Sequence, residues 1–387
     1  MQKILSSVIY ILVGILCSSH QAADSNNLMV EEKRIEKAAQ QLPDVINRFK
    51  VDVDSFENII APLTSLDSFE TAINLRAKQL WSKAVLSFAD LKDNDDRPLY
   101  WARLQTSRSL RQNPAFNALT SAQQEALLWN LELLSRGKED INFDKKSTKK
   151  ILLTGFDPFF LDRHINQSNP SGAVALALDN SIINLNDQSV EIETLIVPVR
   201  FGDFDKGMIE QLLAPYIKDK SVDMVITVSM GRDDFDLERF PGLRRSAKAP
   251  GNLNTFTGAT ADNPLVPLLD DKPLNGPEFV EFSLPASKML KAKGDFKIND
   301  NHKVRTTEKS FSPETLNELA GMTSVEGSGG GYLSNEVSYR SILLRDQYNP
   351  DLAVGHIHTP RFREFEPVKT QKIIAQLKNM IVLAITK

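Results

Sequence analysis

Between Asp67 and Phe88 the apolar residues recur at helical spacing. Phe69, Ile73, Ala77, Leu80, Trp81, Ala84 and Phe88 fall on one stripe. Asp67 followed by Glu70 offers a capping-box-like start. Asp96 with Pro98 predicts a second start, the proline standing in the first turn where its missing N–H costs nothing. Thr120 with Gln123 predicts a third, running through Leu127, Leu128, Leu131 and Leu134 to a stop at Gly137. No fixed-period repeat joins these helices. Residues 30–137 read as a small all-α domain whose stripes, with Trp81, Trp101 and Trp129, are core.

The polar stretch 138–149 reads as a linker, and the helical domain is expected to fold apart from the C-terminal part of the chain. Beyond the linker the texture changes. Ile151–Thr154, Ile192–Val199, Met224–Met230 and Leu352–His358 are short apolar or β-branched runs. Helical segments alternate with them at Gly172–Leu178, Asp205–Ile217, Pro285–Lys293 and Val368–Ile385. Alternation of this kind predicts an α/β domain over 150–387, a three-layer sandwich with a central, mostly parallel sheet.

The chain start adds an address. Lys3, an apolar run from Ile4 to Leu16, and the small residues Ser18, Ser19, Ala22 and Ala23 have the layout of a secretory signal peptide, residues 1–23. That run is short for a bilayer span, so a cleaved leader and a periplasmic or secreted protein are expected, with no stable membrane span after cleavage. The single cysteine, Cys17, lies inside this leader, which excludes an intramolecular disulfide and a cysteine-based zinc site. With 46 basic against 50 acidic residues in 387, the net charge of −4 gives no bulk attraction for nucleic acid.

Five ordered blocks of the second half resemble pyroglutamyl peptidase I, also called pyrrolidone-carboxylate peptidase. They are Thr154-Gly-Phe-Asp-Pro-Phe159 with Asn169-Pro-Ser171; Gly231-Arg232 with Leu237-Glu-Arg239 and Ala247-Lys-Ala-Pro-Gly-Asn252; Phe282-Ser-Leu-Pro285; Gly330-Gly-Tyr-Leu-Ser-Asn335; and Gly355-His-Ile-His-Thr-Pro360. The resemblance covers about 150–387. It implies an omega-peptidase removing an N-terminal pyroglutamyl (lactam) group from peptides, with a peptide or small lactam-like substrate and no cofactor, and the leader makes the expected protein an exported one. Carried over by position, His358 is the base and Glu238 orients it, while Ser334 stands where the family has its nucleophilic cysteine. Lys248 replaces an arginine and is assigned to the oxyanion; Phe156 and Phe159 are assigned to the walls of the lactam pocket and Asn169 to the lactam amide. The glycine-rich turn before Arg232 is shortened, and extra residues stand between Phe159 and Asn169 and between Lys293 and Val325.

The residues by themselves allow the same chemistry. Ser334 follows Gly329-Gly-Gly331, whose backbone N–H groups can approach an oxyanion, and serine, histidine and carboxylate are the parts of an acyl-transfer triad. Serine also suits an oxidising compartment, where a low-pKa thiolate is exposed to oxidation. A cysteine, however, is activated largely by its own acidity, whereas serine depends on an aligned base. A catalytically inactive pyroglutamyl- or peptide-binding homologue is therefore the alternative reading. His356 and His358 share a strand face, but no third ligand is evident and no metal is assigned. The oligomeric state is open.

Overall fold

The computed structural model describes residues 28–91, 94–144, 149–185 and 188–386. The leader assigned to residues 1–23 lies outside them. The helical lobe contains α1 (Val30–Lys33), α2 (Ile35–Gln41), α3 (Pro43–Asn47), α4 (Lys50–Ile60), α5 (Leu66–Leu91), α6 (Arg97–Gln112), α7 (Pro114–Asn117) and α8 (Ser121–Leu134). The three predicted starts form with one shift. Helix α5 begins at Leu66, ahead of Asp67, because Ser65 and Ser68 exchange the capping bonds, each hydroxyl accepting the other's N–H at 3.3 Å. Thr120 and Gln123 do make their capping box, and Gly137 takes φ +95° beyond the end of α8. Asp96 occupies the N-cap of α6 without capping it. Its carboxylate instead accepts the Ser168 hydroxyl at 2.6 Å and the Asn169 N–H at 3.0 Å, tying the helix to the other lobe.

The second lobe is α/β. Its strands are β1 (Lys149–Phe156), β2 (Ser181–Asn184), β3 (Ser189–Val197), β4 (Met224–Met230), β5 (Phe235–Glu238), β6 (Leu268–Leu269), β7 (Lys272–Pro273), β8 (Ile298–Asn301), β9 (Val304–Thr306), β10 (Ser310–Phe311), β11 (Ser324–Glu326) and β12 (Ala353–Thr359). Seven form the main sheet in the order β2-β3-β1-β4-β12-β5-β8. Its centre, β3-β1-β4-β12, is parallel; β2 on β3 and β5 on β12 run antiparallel. Helices α9 (Pro170–Leu178), α10 (Phe201–Asp205), α11 (Met208–Lys218), α12 (Ala286–Met289), α13 (Leu333–Tyr348) and α14 (Pro367–Ile385) complete the lobe. The near-continuous burial of β1, β3 and β4 is what a parallel sheet covered on both faces requires.

Two predicted helices change length. The segment 205–217 divides at Gly207, whose φ of +75° ends α10 before α11 begins, and the helix expected over 285–293 contracts to α12. The residues between Lys293 and Val325 build the edge strand β8 and most of a small antiparallel sheet, β10-β9-β11.

The helical lobe keeps a buried cluster of its own, including Phe56, Phe69, Ile73, Leu110 and Leu131, and also packs part of its apolar surface into the core of the sheet. Phe49, Leu80, Trp81, Phe88, Leu99 and Leu133 belong to the same buried cluster as the sheet residues Ile151, Leu153 and Leu195. The polar connection is fastened too. The Arg136 and Lys138 carbonyls accept from Ile196 N–H and the Tyr216 hydroxyl, and Asp144 N–H donates to Glu191 at 2.8 Å. Buried ion pairs reinforce the contact. Arg103 and Arg136 close on Asp157 at 3.0 and 2.7 Å, and Arg200 joins Glu31 at 2.5 Å and Glu132 at 2.8 Å.

Asp157→Ala would leave Arg103 and Arg136 buried against each other, so a loss of about 3–5 kcal/mol is expected in denaturant unfolding; a loss below about 1 kcal/mol would remove this network from any structural role. Asp96 supplies a second test. Burial, and then the neighbouring Asp95, push its carboxyl up to about 7. A carboxyl whose folded pKa is raised favours the protonated folded state, so its contribution is present below its unfolded pKa and is lost as pH rises toward about 7. Asp96→Asn is expected to flatten that part of the stability profile, measured by unfolding between pH 4 and 8, and an unchanged slope would contradict the assignment.

Candidate active site

Glu238, His358 and Ser334 lie near the C-terminal end of β12, where open α/β sheets place their sites. His358 is the penultimate residue of β12, and Glu238 ends β5. In the antiparallel register Glu238 stands opposite His356, which makes His358 its diagonal neighbour on the same face. The Glu238 carboxylate reaches across, and Oε1 meets His358 Nδ1 at 2.6 Å. An ionised carboxylate only accepts, so in this pairing Nδ1 is the donor and Nε2 is the nitrogen turned away from Glu238. Among the described residues Nε2 has no hydrogen-bond partner. Burial pushes the Glu238 carboxyl up, His358 beside it pulls it back, and Asn301 donates to Oε2 at 2.8 Å. Gly231 makes room for the ring, because a Cβ there would lie 2.5 Å from the His358 Cβ.

His356 has a different task. Its Nδ1 and Nε2 each lie 2.8 Å from a hydroxyl, those of Thr227 and Ser229. Burial, and then His358 with its ring 4.8 Å away, hold it well below the usual histidine range. A neutral imidazole with both nitrogens engaged is a supporting group for the sheet end, so the shared face of the two histidines does not make a ligand pair.

Ser334 is the second residue of α13, a 16-residue helix. The first intrahelical bond runs from Glu336 N–H to the Tyr332 carbonyl, which leaves the N–H groups of Leu333, Ser334 and Asn335 ahead of the hydrogen-bonded turn. The Ser334 hydroxyl donates to the Gly329 carbonyl at 3.3 Å. The His358 ring lies beside the same glycine, with Cε1 3.6 Å from where a Gly329 Cβ would stand. Serine and histidine thus both border Gly329, and among the described residues no hydrogen bond joins them.

Two cavities flank this point, one lined by Ser334 and the other by Gly329 and His358. One is a small apolar recess of about 40 Å³ lined by Phe156, Phe159, Asn169, Met230, Tyr332 and Ser334, among others. It brings together the three residues assigned to the lactam pocket and the serine. The other, about 320 Å³, includes the charged or polar side chains of His358, Glu238, Asn301, Arg232, Lys303 and Arg305 in its lining. Strands β8 to β11 supply much of that wall, which sequence reasoning does not place in the site. The alternation Lys303-Val-Arg-Thr306, with Val304 and Thr306 buried, is the available signal.

Two assignments change. Lys248 is exposed and lines neither cavity. Its segment is held by its backbone, Ser246 and Ala247 N–H both donating to the Gly331 carbonyl, and the side chain extends from it into solvent. The Asn169 side chain is largely committed as the N-cap of α9. Its Oδ1 accepts from Ser171 N–H and hydroxyl at 3.1 and 2.8 Å, and its Nδ2 donates to the Asp157 carbonyl at 2.9 Å. One amide hydrogen remains, so Asn169 can serve a carbonyl in the recess but cannot accept from a lactam N–H. Phe156, stacked on Phe204 with centroids 6.3 Å apart, and half-buried Phe159 keep their places as recess walls.

The His358 Nδ1 proton, held in a 2.6 Å bond, is expected as a far-downfield NMR resonance that Glu238→Ala abolishes. Gly231→Ala should move or broaden it, and a resonance indifferent to both substitutions would refute this geometry.

A family model described as "PA0049, C-terminal domain" matches residues 150–272 and 297–363, and one described as "PA0049 N-terminal domain" matches 16–132. An uncharacterized protein, PA0049 of Pseudomonas aeruginosa, is 28% identical over 392 residues, covering 77% of this chain and 71% of that one. The pyrrolidone-carboxylate peptidase of Alkaliphilus oremlandii is 28% identical over 219 residues, covering 54% and 78%. Among solved structures, the pyrrolidone carboxyl peptidase of Pyrococcus furiosus aligns with 21% identity and a TM-score of 0.42, covering 61% of this chain and 97% of that one. The pyroglutamyl peptidase I of Bacillus amyloliquefaciens aligns with 21% identity and a TM-score of 0.41, covering 61% and 94%.

Proposed function

We propose that this chain is an exported peptidase-like hydrolase that removes an N-terminal pyroglutamyl or similar lactam cap from peptides by a serine mechanism. The observation that carries the reading is the Glu238–His358 pair at 2.6 Å, with a free Nε2, beside the glycine that also borders Ser334. Similarity to a pyrrolidone-carboxylate peptidase supports the substrate class. Among the described residues no helix is long and apolar enough to cross a membrane.

In this mechanism the Ser334 hydroxyl leaves the Gly329 carbonyl and turns to His358 Nε2 when substrate enters; catalytic hydrogen bonds often tighten only in the complex. Serine attacks the acyl carbon as Nε2 takes its proton, and Glu238 stabilises the resulting imidazolium. The oxyanion forms at the start of α13, where the free N–H groups and the helix dipole favour negative charge, a role that Lys248 is too exposed to fill. His358 then gives the proton to the leaving amine, which departs toward the larger cavity. Water, activated by the same histidine, hydrolyses the acyl-serine. The apolar recess takes the lactam ring and must widen to do so, since its about 40 Å³ is close to the space of a single water molecule. Half-buried Phe159 is the wall that would yield, since the Tyr332 hydroxyl is held by the Pro250 carbonyl at 2.8 Å.

The decisive assay is amine release from pyroglutamyl amides by the chain without residues 1–22. Ser334→Ala is expected to lower the rate by a factor of about 10⁴ or more. Iodoacetamide should leave the wild type untouched, because the only cysteine is Cys17. Ser334→Cys should keep or raise turnover and become sensitive to alkylation, since a thiol beside His358 can ionise near neutral pH. Pyroglutamate binding without turnover in the wild type would establish the binding homologue instead. Full activity in Ser334→Ala would end the serine assignment.

A further inference from the structure

Outside this site, three carboxylates converge where the connection between the lobes crosses the sheet. Asp140 lies in that connection, Asp179 follows α9 and Glu193 lies within β3. One oxygen from each falls within 4.8 Å of the others. Among the described residues no lysine or arginine pairs with any of them; Lys78 and Lys149 are turned to Glu139 and Asp223.

Two of the three are already oriented by donors. The Trp81 indole N–H lies 3.1 Å from Asp140 Oδ2 and 3.2 Å from Asp179 Oδ2. Asn180 Nδ2 donates to the same two oxygens at 3.3 and 3.0 Å, and the Thr194 N–H and hydroxyl hold Asp179 Oδ1 at 2.8 and 2.9 Å. Glu193 is different. It is 1% exposed, and neither of its oxygens accepts a hydrogen bond, although the Asn142 backbone amide partly eases its charge. A buried carboxylate with two unused oxygens, facing two further carboxylates, lacks positive charge at its centre.

The donors limit the ion. Three carboxylate oxygens suit a hard cation, and calcium accepts an irregular set that includes a bidentate carboxylate, with water completing its shell. Magnesium demands tighter octahedral geometry. We propose that Asp140, Asp179 and Glu193 bind calcium, with Trp81 and Asn180 orienting the ligands, and that the ion fastens the connection and α5 to β3.

The test uses the chain lacking residues 1–22, stripped with chelator. Calcium is expected to raise the unfolding temperature saturably and more than magnesium does. Terbium should give emission on tryptophan excitation, because the Trp81 indole touches two ligands, and calcium should displace it. Trp81→Phe should remove that emission while a calcium-dependent rise persists. Glu193→Gln should weaken calcium binding by about tenfold or more. Asp140→Asn, at the half-buried rim, should do the same and serves if the buried variant fails to fold. No thermal response to calcium, a response to magnesium alone, or an undiminished calcium response in either folded variant would overturn the proposal.

Discussion

The grip of Arg103 and Arg136 on Asp157 sets much of the rest of the molecule. Asp157 sits at the turn leaving β1, between the two phenylalanines that wall the apolar recess. Both arginines come from the helical lobe and are almost fully buried, so the turn's position is dictated by α6 and by the end of α8. A comparable arrangement holds the next strand end. Arg200, beyond β3 and just after the recess residue Val199, is fixed by Glu31 and Glu132. Taking such charges out of water is expensive and is offset only when each is paired in good geometry. The helices are thus a scaffold for the mouth of the recess, a role that their apolar stripes alone do not reveal.

A second buried network serves the other half of the site. Arg245 pairs with Glu336 and Asp205, and Arg340 pairs with Glu336 and Glu210. Glu336 is two residues beyond Ser334 in the first turn of α13, and the two arginines hold its carboxyl below the usual range despite burial. The start of that helix is therefore anchored from inside. The Gly331 backbone presses so close to Ser246 that a Cβ there would collide with the Ser246 hydroxyl. Ser334 is accordingly carried on a rigid helix end, and the Gly329 carbonyl that it bonds belongs to a turn closed by two hydrogen bonds between Gly327 and Gly330. The easier movement toward a triad belongs to the serine rotamer.

What is legible in the sequence comes from local pattern. Strands β1, β3, β4 and β12 are short apolar runs that only a buried sheet satisfies, and their bounds lie within a few residues of those runs. Thr120 with Gln123 makes its capping box because both partners lie within one turn. Glu238 and His358 are placed by the resemblance, since 120 residues separate them and no local rule pairs them. The short strands β5 and β8 escape because Phe235–Glu238 and Ile298–Asn301 each carry acidic or amide side chains that read as loop. Asp96 has the type and position of a cap, yet its carboxylate serves Ser168 and Asn169, because tertiary donors outcompete the local N–H groups. Asn169 shows the reverse: a residue assigned to substrate is bound chiefly to its own helix start.

The two cavities around His358 give the proposed reaction a direction. The recess beside Ser334 is apolar and small, so it selects a compact, flat acyl group and disfavours a charged α-amino terminus, whose desolvation would go uncompensated there. The cavity beyond His358 is larger and includes Arg232, Lys303 and Arg305, so in the proposed reaction it would receive the hydrated peptide. Specificity in such a site resides on the acyl side and promiscuity on the leaving side, which is the division that a cap-removing hydrolase needs. The imidazole stands at the border of the larger cavity, where the same nitrogen that takes the serine proton can return it to a departing amine. In the proposed reaction, the insertion that builds β9 to β11 would shape the space on the leaving-group side of the scissile bond, while the turn held by Arg103 and Arg136 would shape the space on its acyl side.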